Sequence, residues 1–215
     1  MEKIINVLSL TKSFGHLELF INTSIDIYYN SVTAISGKNS SGKTTFLKLL
    51  SGLLLPDNGK IMIYEKDITK NRTYAKQFVA LALNTEYGFY PQLTLKENLL
   101  FLCKIYKKPF DDILIFVDIL NLQNFLNNTF SLCSSGIKTK FWLVSSLVKN
   151  TKILLIDELT KSVDFDTKQK VYELIKELKT KFKYTIVFVS HDSNEINLLC
   201  DHWIKIEEHK FVQIR

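Results

Sequence analysis

Residues 37–44 restrict the fold of this chain more than any other segment. They read Gly-Lys-Asn-Ser-Ser-Gly-Lys-Thr, a complete match to the phosphate-binding pattern G-x-x-x-x-G-K-[ST]. The apolar run Val32–Ser36 before it predicts a buried strand, and Thr45–Ser51 after it predicts a helix that ends at Gly52. Because the pattern is meaningful only between a strand and a helix, this setting indicates an α/β protein that binds a nucleoside triphosphate.

Each part of this loop has a predicted task. Its glycines let the backbone wrap around phosphate, and successive N–H groups with the helix N-terminus favour negative charge. Lys43 is expected to reach the β- and γ-phosphates, and the Thr44 hydroxyl to hold Mg²⁺. The alternative is a Ser/Gly turn that happens to precede a helix. The predicted nucleotide-binding set is Gly37, Lys38, Asn39, Ser40, Ser41, Gly42, Lys43, Thr44 and Thr45.

Composition narrows the class of protein. A chain of 215 residues with 46% hydrophobic and 23% charged residues is typical of one globular domain, with or without a smaller subdomain. No apolar run approaches the ~18 residues of a membrane span, and the first residues lack the features of a secretion signal. The three cysteines are odd in number and widely spaced, which predicts structural thiols in a reducing compartment: Cys103, Cys133 and Cys200.

The net charge of +6 raises the question of nucleic-acid binding. The lysines are scattered among acids, as in residues 168–183, without interleaved aromatics. A solvated helix face explains them better, so no nucleic-acid partner is expected. Attraction to an anionic membrane surface is an equally simple explanation.

Periodicity predicts three regions. The first ~65 residues resemble β structure, with strands at Ile4–Leu10 and Phe20–Tyr29. Phe78–Leu83 is a continuous apolar run of the kind that a central parallel strand shows. Residues 94–149 look helical and begin with the capping box Thr94-x-x-Glu97. Strand and helix then alternate: Thr151–Ile156, Thr167–Phe182, Tyr184–Val189 and a helix capped at Asp192. The prediction is a three-layer α/β core interrupted by a helical insertion.

Two acids follow the buried strand before them. Ile153–Ile156 runs directly into Asp157 and Glu158, and such a strand delivers its carboxylate beside the phosphate loop. Asp157 is expected to hold Mg²⁺ through water, and Glu158 to polarise the water that attacks the γ-phosphate. Acids often end strands, so it is their combination with the loop that favours the functional interpretation.

Two further segments carry candidate residues. His191 stands at the tip of the predicted strand 184–189, where it can reach a γ-phosphate; alone, it is equally well a surface histidine. Small residues at Ser134, Ser135 and Gly136 begin a predicted helix, and they form either a second anion-binding surface or a simple N-cap.

Together these motifs resemble the ATP-binding subunit of ABC transporters over essentially the whole chain. GKNSSGKT resembles its Walker A motif, CSSG its signature and ILLIDE its Walker B motif. Ser162-Val163-Asp164 is similar to its D-loop, and Ser190-His191-Asp192 to its H-loop. The order and separations of the motifs agree as well.

The resemblance implies a P-loop NTPase (RecA-like) core with an antiparallel β subdomain (residues 1–84 and 151–215) and an inserted α-helical subdomain (88–150), within one domain, 1–215. It implies that Phe14 stacks on adenine, although Phe14 otherwise looks like a core residue. Two copies, or two related chains, would sandwich two ATPs. Ser134–Gly136 would complete the partner's site, His191 would contact the γ-phosphate, and Asp164 would carry signals across the dimer.

The chain departs from the family pattern at three places. Ser135 replaces the second signature glycine, and Leu159 replaces the proline usual after the catalytic glutamate. The Q-loop glutamine is replaced by Thr85 or Glu86, of which Glu86 is the better polar ligand and a candidate metal ligand. The Q-loop residue other than glutamine, the CSSG signature and the run Phe-Tyr-x-x-Leu-Thr are similar to the exporter branch with ABC-2-type membrane subunits.

The resulting prediction is an ATP-hydrolysing subunit, dependent on ATP and Mg²⁺, that powers export through a transmembrane permease. It would be peripheral, on the cytoplasmic face of the membrane. Residues 88–150 and the segment before them would dock the permease through an exposed cluster, Tyr87, Phe89 and Tyr90. The alternatives are a soluble ABC-type ATPase that acts on ribosomes or DNA, and a small-molecule kinase.

Overall fold

The computed structural model describes residues 1–83, 88–158, 160–161 and 163–215. The strands in this part are β1 (Lys3–Phe14), β2 (Leu17–Tyr28), β3 (Val32–Gly37), β4 (Asn58–Ile63), β5 (Lys66–Asp67), β6 (Val79–Leu83), β7 (Ile153–Asp157), β8 (Thr185–Val189), β9 (His202–Glu207) and β10 (Lys210–Gln213). The helices are α1 (Lys43–Leu50), α2 (Arg72–Phe78), α3 (Leu95–Tyr106), α4 (Asp111–Ile119), α5 (Ser135–Leu147), α6 (Phe165–Thr180) and α7 (Ser193–Leu199).

The chain divides into two compact units. The first consists of Met1–Leu81, Thr151–Asp157 and Lys179–Arg215, and the second of Ala82–Asn150 and Glu158–Leu178. Strands dominate the first unit and helices the second.

The first unit contains an antiparallel sheet with the strand order β2-β1-β4-β5. On β1, Ile5 lies opposite Ile27 of β2 and Ile63 of β4, and all three side chains are buried. Ile5 and Val7, two positions apart on β1, are both completely buried, as expected for residues on one face of a strand. The β structure expected near the N-terminus is present.

A second sheet has the order β10-β9-β3-β8-β7-β6. β3 pairs in parallel with β8 and β9, and β7 pairs in parallel with β8. The carboxyl ends of β3, β7 and β8 therefore lie at one edge of this sheet, the edge where α/β sheets bind ligands. This mixed α/β architecture confirms the predicted fold class.

The prediction of a central strand at Phe78–Leu83 is wrong. Phe78 ends α2, and β6 (Val79–Leu83) stands last in the strand order of the described residues. A continuous apolar run indicates that both faces of a strand are covered, and it carries no information about the position of the strand in the sheet.

Aromatic rings fill the core of the first unit. Phe20, Phe46 and Phe211 come from β2, α1 and β10, and their ring centroids lie 4.6–6.0 Å apart. Phe20 and Phe46 are completely buried. Such contacts contribute beyond area burial alone, and they tie the helix after the phosphate loop to both sheets.

The second unit has an aromatic core of its own. Phe89, Phe130 and Phe141 pack with ring centroids 5.1–5.5 Å apart. α3 begins with the predicted capping box, because Thr94 and Glu97 bond to each other's backbone N–H. Phe89 is therefore a packing residue and not part of an exposed cluster.

The three cysteines are buried free thiols, Cys103, Cys133 and Cys200. Burial raises the pKa of each thiol, which disfavours the reactive thiolate. Among the described residues, no helix combines the length and the apolar character that crossing a membrane requires.

Candidate functional site

The phosphate loop lies in the first unit, between β3 and α1, as predicted. Gly42 precedes the helix with φ 97°, a left-handed conformation in which a side chain is strained. A Cβ on Gly42 would also lie 3.0 Å from Phe20 Cζ. The buried Phe20 ring therefore requires glycine here, which explains why the motif and the core fit together.

Lys43 folds back over this loop. Its side chain is buried, and its ammonium donates hydrogen bonds to the carbonyl oxygens of Gly37 (3.1 Å) and Lys38 (2.8 Å). The Ser41 hydroxyl is buried and has no hydrogen-bond partner within the described ranges. Buried polar groups normally bond to something, so the loop offers a donor as well as a cation to an anionic ligand.

Thr44 and Asp157 meet at the edge of the sheet. The Thr44 hydroxyl donates a 2.8 Å hydrogen bond to Asp157 Oδ2, at the carboxyl end of β7. Mg²⁺ takes oxygen ligands and usually keeps several of its waters. A hydroxyl next to a carboxylate fits such a site, because Thr44 can supply a direct ligand while Asp157 binds a water of the metal.

His191 follows β8 at the same edge and is exposed. The turn that carries it is anchored on both sides. Ser190 N–H donates to Ile35 O of β3 at 3.2 Å, and Asp192 N–H donates to Ser190 Oγ at 3.0 Å. The strand that leads into the phosphate loop thus positions His191.

Glu195 supports this turn in a way that the sequence pattern did not reveal. Asp192 caps α7 as expected, but the buried Glu195 carboxylate accepts a hydrogen bond from Ser190 Oγ. A buried carboxylate needs such donors because it has lost its hydration. The sequence contains one indication of this burial: Ile196, next to Glu195, is apolar, which predicts that this part of α7 faces the core.

Phe14, the candidate adenine-stacking residue, ends β1 and is 48% exposed. This exposure contradicts the interpretation of Phe14 as a core residue. The Lys12 ammonium lies 5.1 Å from the ring centroid and also pairs with Asp57 at 2.7 Å. An exposed ring of this kind can stack on a planar ligand.

Glu158 belongs to the second unit, although it follows Asp157 directly in the chain. Its carboxylate forms an ion pair with Lys161 at 3.0 Å, three residues later. Glu158 adopts φ 46°, which is uncommon for a residue with a side chain and marks a sharp turn after β7.

The Ser134–Gly136 segment begins α5, also in the second unit. Ser134 is the N-cap and accepts a 3.3 Å hydrogen bond from Ile137 N–H, while Ser134 and Ser135 are exposed. Gly136 is buried, and a Cβ there would lie 2.7 Å from Thr167 Oγ1 and 3.0 Å from Asp164 Oδ2. The candidate D-loop residue Asp164 and the candidate signature therefore lie in direct contact.

Asp164 is held in place by Thr167. Its two carboxylate oxygens accept hydrogen bonds from Thr167 N–H and Thr167 Oγ1, both at 2.8 Å. These bonds, led by the one from the backbone N–H, lower the pKa of Asp164, so this acceptor stays ionised near neutral pH.

We expect Gly136→Ala to destabilise the chain by about 1–3 kcal/mol, because the added methyl group overlaps Thr167 Oγ1. Urea denaturation measures this loss. Ser135→Ala changes the exposed neighbouring residue and is the control. In a Thr167→Ala background the cost of Gly136→Ala should fall. If Gly136→Ala destabilises the chain no more than Ser135→Ala does, Gly136 and Thr167 are not in close contact.

Five residues named in the sequence analysis lie outside the described residues: Thr85, Glu86, Tyr87, Leu159 and Ser162. The assignment of Thr85 or Glu86 to the Q-loop stays a prediction.

Comparison with known proteins agrees with the motifs. The family model described as ABC transporter matches residues 20–161. The chain is 31% identical to the ABC transporter ATP-binding protein NatA of Bacillus subtilis, over 86% of this chain and 76% of that protein. It is 28% identical to a probable sulfate/thiosulfate import ATP-binding protein, CysA, of Chlorella vulgaris, over 96% and 88% of the two chains.

Other relatives are longer than this chain. The spermidine/putrescine import ATP-binding protein PotA of Clostridioides difficile is 28% identical, and the match covers all of this chain but 62% of PotA. Among solved structures, a dimeric ATP-binding cassette in a post-hydrolysis state with ADP and Pi superposes with a TM-score of 0.85 at 22% identity, over 99% of both chains. This last similarity concerns the fold.

Proposed function

Because the chain belongs to the ABC transporter family and is an ATPase of that family, we propose that it powers export of a substrate through a partner membrane permease. The observation that carries the ATPase part is the contact between Thr44 of the phosphate loop and Asp157 of β7, at 2.8 Å. It joins the two motifs that a Mg²⁺-dependent phosphoryl transfer needs at one edge of the sheet.

We assign the residues to roles on this basis. Transfer of a phosphoryl group to water relies on positioning and charge stabilisation. Lys43 and the loop amides stabilise charge on the phosphates. Thr44, and Asp157 through water, would hold Mg²⁺, which would neutralise further charge. Glu158 orients the attacking water and accepts its proton. His191, fixed by Ser190, contacts the γ-phosphate.

The partners in this proposal are a permease and a second ATP-binding subunit, either another copy or a related chain. Ser134 and Ser135 are exposed at the start of α5, where they are free to complete the site of that second subunit. The chain would then work on the cytoplasmic face of the membrane and contact it through the permease. Residues 88–150 would form the helical subdomain that docks there.

Export is favoured by the CSSG signature and the Phe89-Tyr90-x-x-Leu93-Thr94 run. CysA and PotA are named as import proteins, so the direction is a proposal about this chain alone.

The permease contact has a direct test. Tyr90, Phe101 and Ile105 are exposed apolar residues of the second unit, and the rings of Tyr90 and Phe101 lie 5.1 Å apart. A tag on this chain should co-purify a permease from detergent-solubilised membranes, with crosslinks concentrated at residues 85–110. Crosslinks concentrated at residues 168–183 refute this docking surface, and purification with ribosomes or DNA refutes the transport role.

A further inference from the structure

A tryptophan on β9 is bonded to the residue that precedes the phosphate loop. Trp203 Nε1–H donates a 2.7 Å hydrogen bond to Ser36 Oγ, although the two residues are 167 positions apart in the chain. Both lie in the first unit, where β3 and β9 pair in parallel with Ala34 opposite Trp203. Because paired residues and alternate residues share a face of a sheet, Ala34, Ser36 and Trp203 lie on one face.

The backbone of Trp203 is held on both sides of β9. On one side, β9 pairs with β3 from Thr33 to Gly37. On the other side, Trp203 N–H donates to Arg215 O at 2.9 Å, and Trp203 O accepts a 2.7 Å hydrogen bond from Ile214 N–H. The side chain is half-buried. The indole N–H therefore projects from a fixed strand and is a fixed donor for Ser36.

Ser36 transmits this restraint to the start of the phosphate loop. The carbonyl oxygen of the next residue, Gly37, accepts a 3.1 Å hydrogen bond from the Lys43 ammonium. Gly37 also packs closely against β9, since a Cβ there would lie 2.9 Å from Ile206 O. Because the peptide unit between Ser36 and Gly37 is rigid, a displacement of Ser36 carries Gly37 with it and changes the placement of the Lys43 ammonium.

The other tryptophan of the chain shows that such a bond is not a general feature of indoles here. Trp142 lies in α5 of the second unit and is buried. Its Nε1 has no hydrogen-bond partner among the residues that the structure describes. An indole N–H can only donate, and packing places Trp142 without that donation being used. The bond from Trp203 to Ser36 is therefore a specific feature, and Trp142 is a matched control for it.

We propose that Trp203 is a positioning residue for the phosphate loop, because it holds Ser36 and, through Ser36, the Gly37 carbonyl that orients Lys43. This inference rests on the proposed nucleotide site at Lys43. Phosphate binds to one conformation of the loop, and a loop that spends time in other conformations binds phosphate more weakly in proportion. A hydrogen bond outside the loop thus raises the affinity for phosphate without contact with the nucleotide.

The test compares the loss of one hydrogen bond at each end of β3. Ser36→Ala removes the acceptor of the Trp203 bond, and the control Ser31→Ala removes the 2.7 Å bond from Ser31 Oγ to Tyr28 O. Calorimetric titrations with Mg-ATP and with inorganic tripolyphosphate measure affinity, and urea denaturation measures stability. Ser36→Ala should weaken binding of both ligands about two- to tenfold, the size of one hydrogen bond. Ser31→Ala should lose comparable stability and keep both affinities.

A double-mutant cycle assigns the effect to the contact itself. Trp203→Phe removes the donor and should weaken binding of both ligands by a factor similar to that of Ser36→Ala. The variant that carries both substitutions should bind no more weakly than either single variant, because the same bond is lost in all three. Trp142→Phe also replaces an indole with a phenyl ring, and it should keep normal affinity.

Three outcomes overturn the proposal. Unchanged affinity in Ser36→Ala would show that the loop does not need this bond, and equal weakening in Ser31→Ala would show that affinity follows stability alone. Losses that multiply in the double variant would show that Trp203 and Ser36 act independently. Failure of the unmodified chain to bind either ligand would instead refute the nucleotide site itself, and this proposal with it.

Discussion

Replacing Lys43 with alanine is expected to abolish ATP hydrolysis and weaken ATP binding while the fold survives. The lysine supplies a point charge where negative charge develops during transfer, and removing one such group typically costs about 10²–10³ in rate. Lys43 is buried within its own loop, where its ammonium donates hydrogen bonds to the backbone carbonyl oxygens of Gly37 and Lys38. Losing hydrogen bonds to a charged group costs about 1.5–3 kcal/mol each, but the substitution also relieves the burial of a cation, and the two effects oppose each other.

A phosphate-release assay, an ATP titration and a thermal melt together test this prediction. Lys48→Ala is the matched control, because it removes a lysine from the same helix, α1, outside the loop. The control should keep full turnover. Undiminished turnover in Lys43→Ala would show that residues 37–44 do not form the phosphate site, and a melt lowered by tens of degrees would show that the lysine is structural.

Replacing Glu158 with glutamine is expected to trap the ATP-bound state. The substitution keeps the shape of the side chain but removes its basic oxygen, and loss of a general base costs about 10²–10⁴ in rate. ATP should then bind without turnover. If Ser134–Gly136 completes the site of a second subunit, Mg-ATP should shift Glu158→Gln from monomer towards dimer in size-exclusion chromatography.

The control for Glu158→Gln is Glu173→Gln. Both glutamates pair with a lysine three residues away in the second unit, at 3.0 Å for Glu158 and 2.7 Å for Glu173. Glu173→Gln should therefore keep normal turnover. Adding Ser134→Arg to Glu158→Gln should abolish the dimer shift, because Ser134 is exposed and the larger cation blocks close approach of the partner. Turnover at the unmodified rate in Glu158→Gln, measured in the permease complex, would show that another group activates water.

Features encoded by neighbouring residues were predictable. The phosphate loop, the capping box at Thr94 and Glu97 and the cap at Asp192 each depend on bonds within a few residues. Their geometry follows from local backbone rules, so the motif alone specifies it. The family resemblance then extended these local assignments to a complete fold.

Other features depended on residues far apart in the chain. Phe89 was expected on the surface but packs against Phe130 and Phe141. The run Phe78–Leu83 was expected to form a central strand, but β6 stands last in the strand order of the part of the chain that the structure describes. Hydrophobicity reports whether a residue is buried, and it does not report which element buries it.

The sequence by itself determined that this chain has a phosphate loop between a strand and a helix, because eight consecutive residues encode that structure. Only the tertiary structure decided what surrounds the loop. Thr44 and Asp157 form a hydrogen bond although they are 113 residues apart in the chain. The β9–β10 hairpin packs beside Gly37 and β2. Pairing of parallel strands brings such distant residues to one edge of a sheet. The order in which the strands pair depends on packing between elements that are far apart in the chain, so it cannot be read from any local sequence pattern.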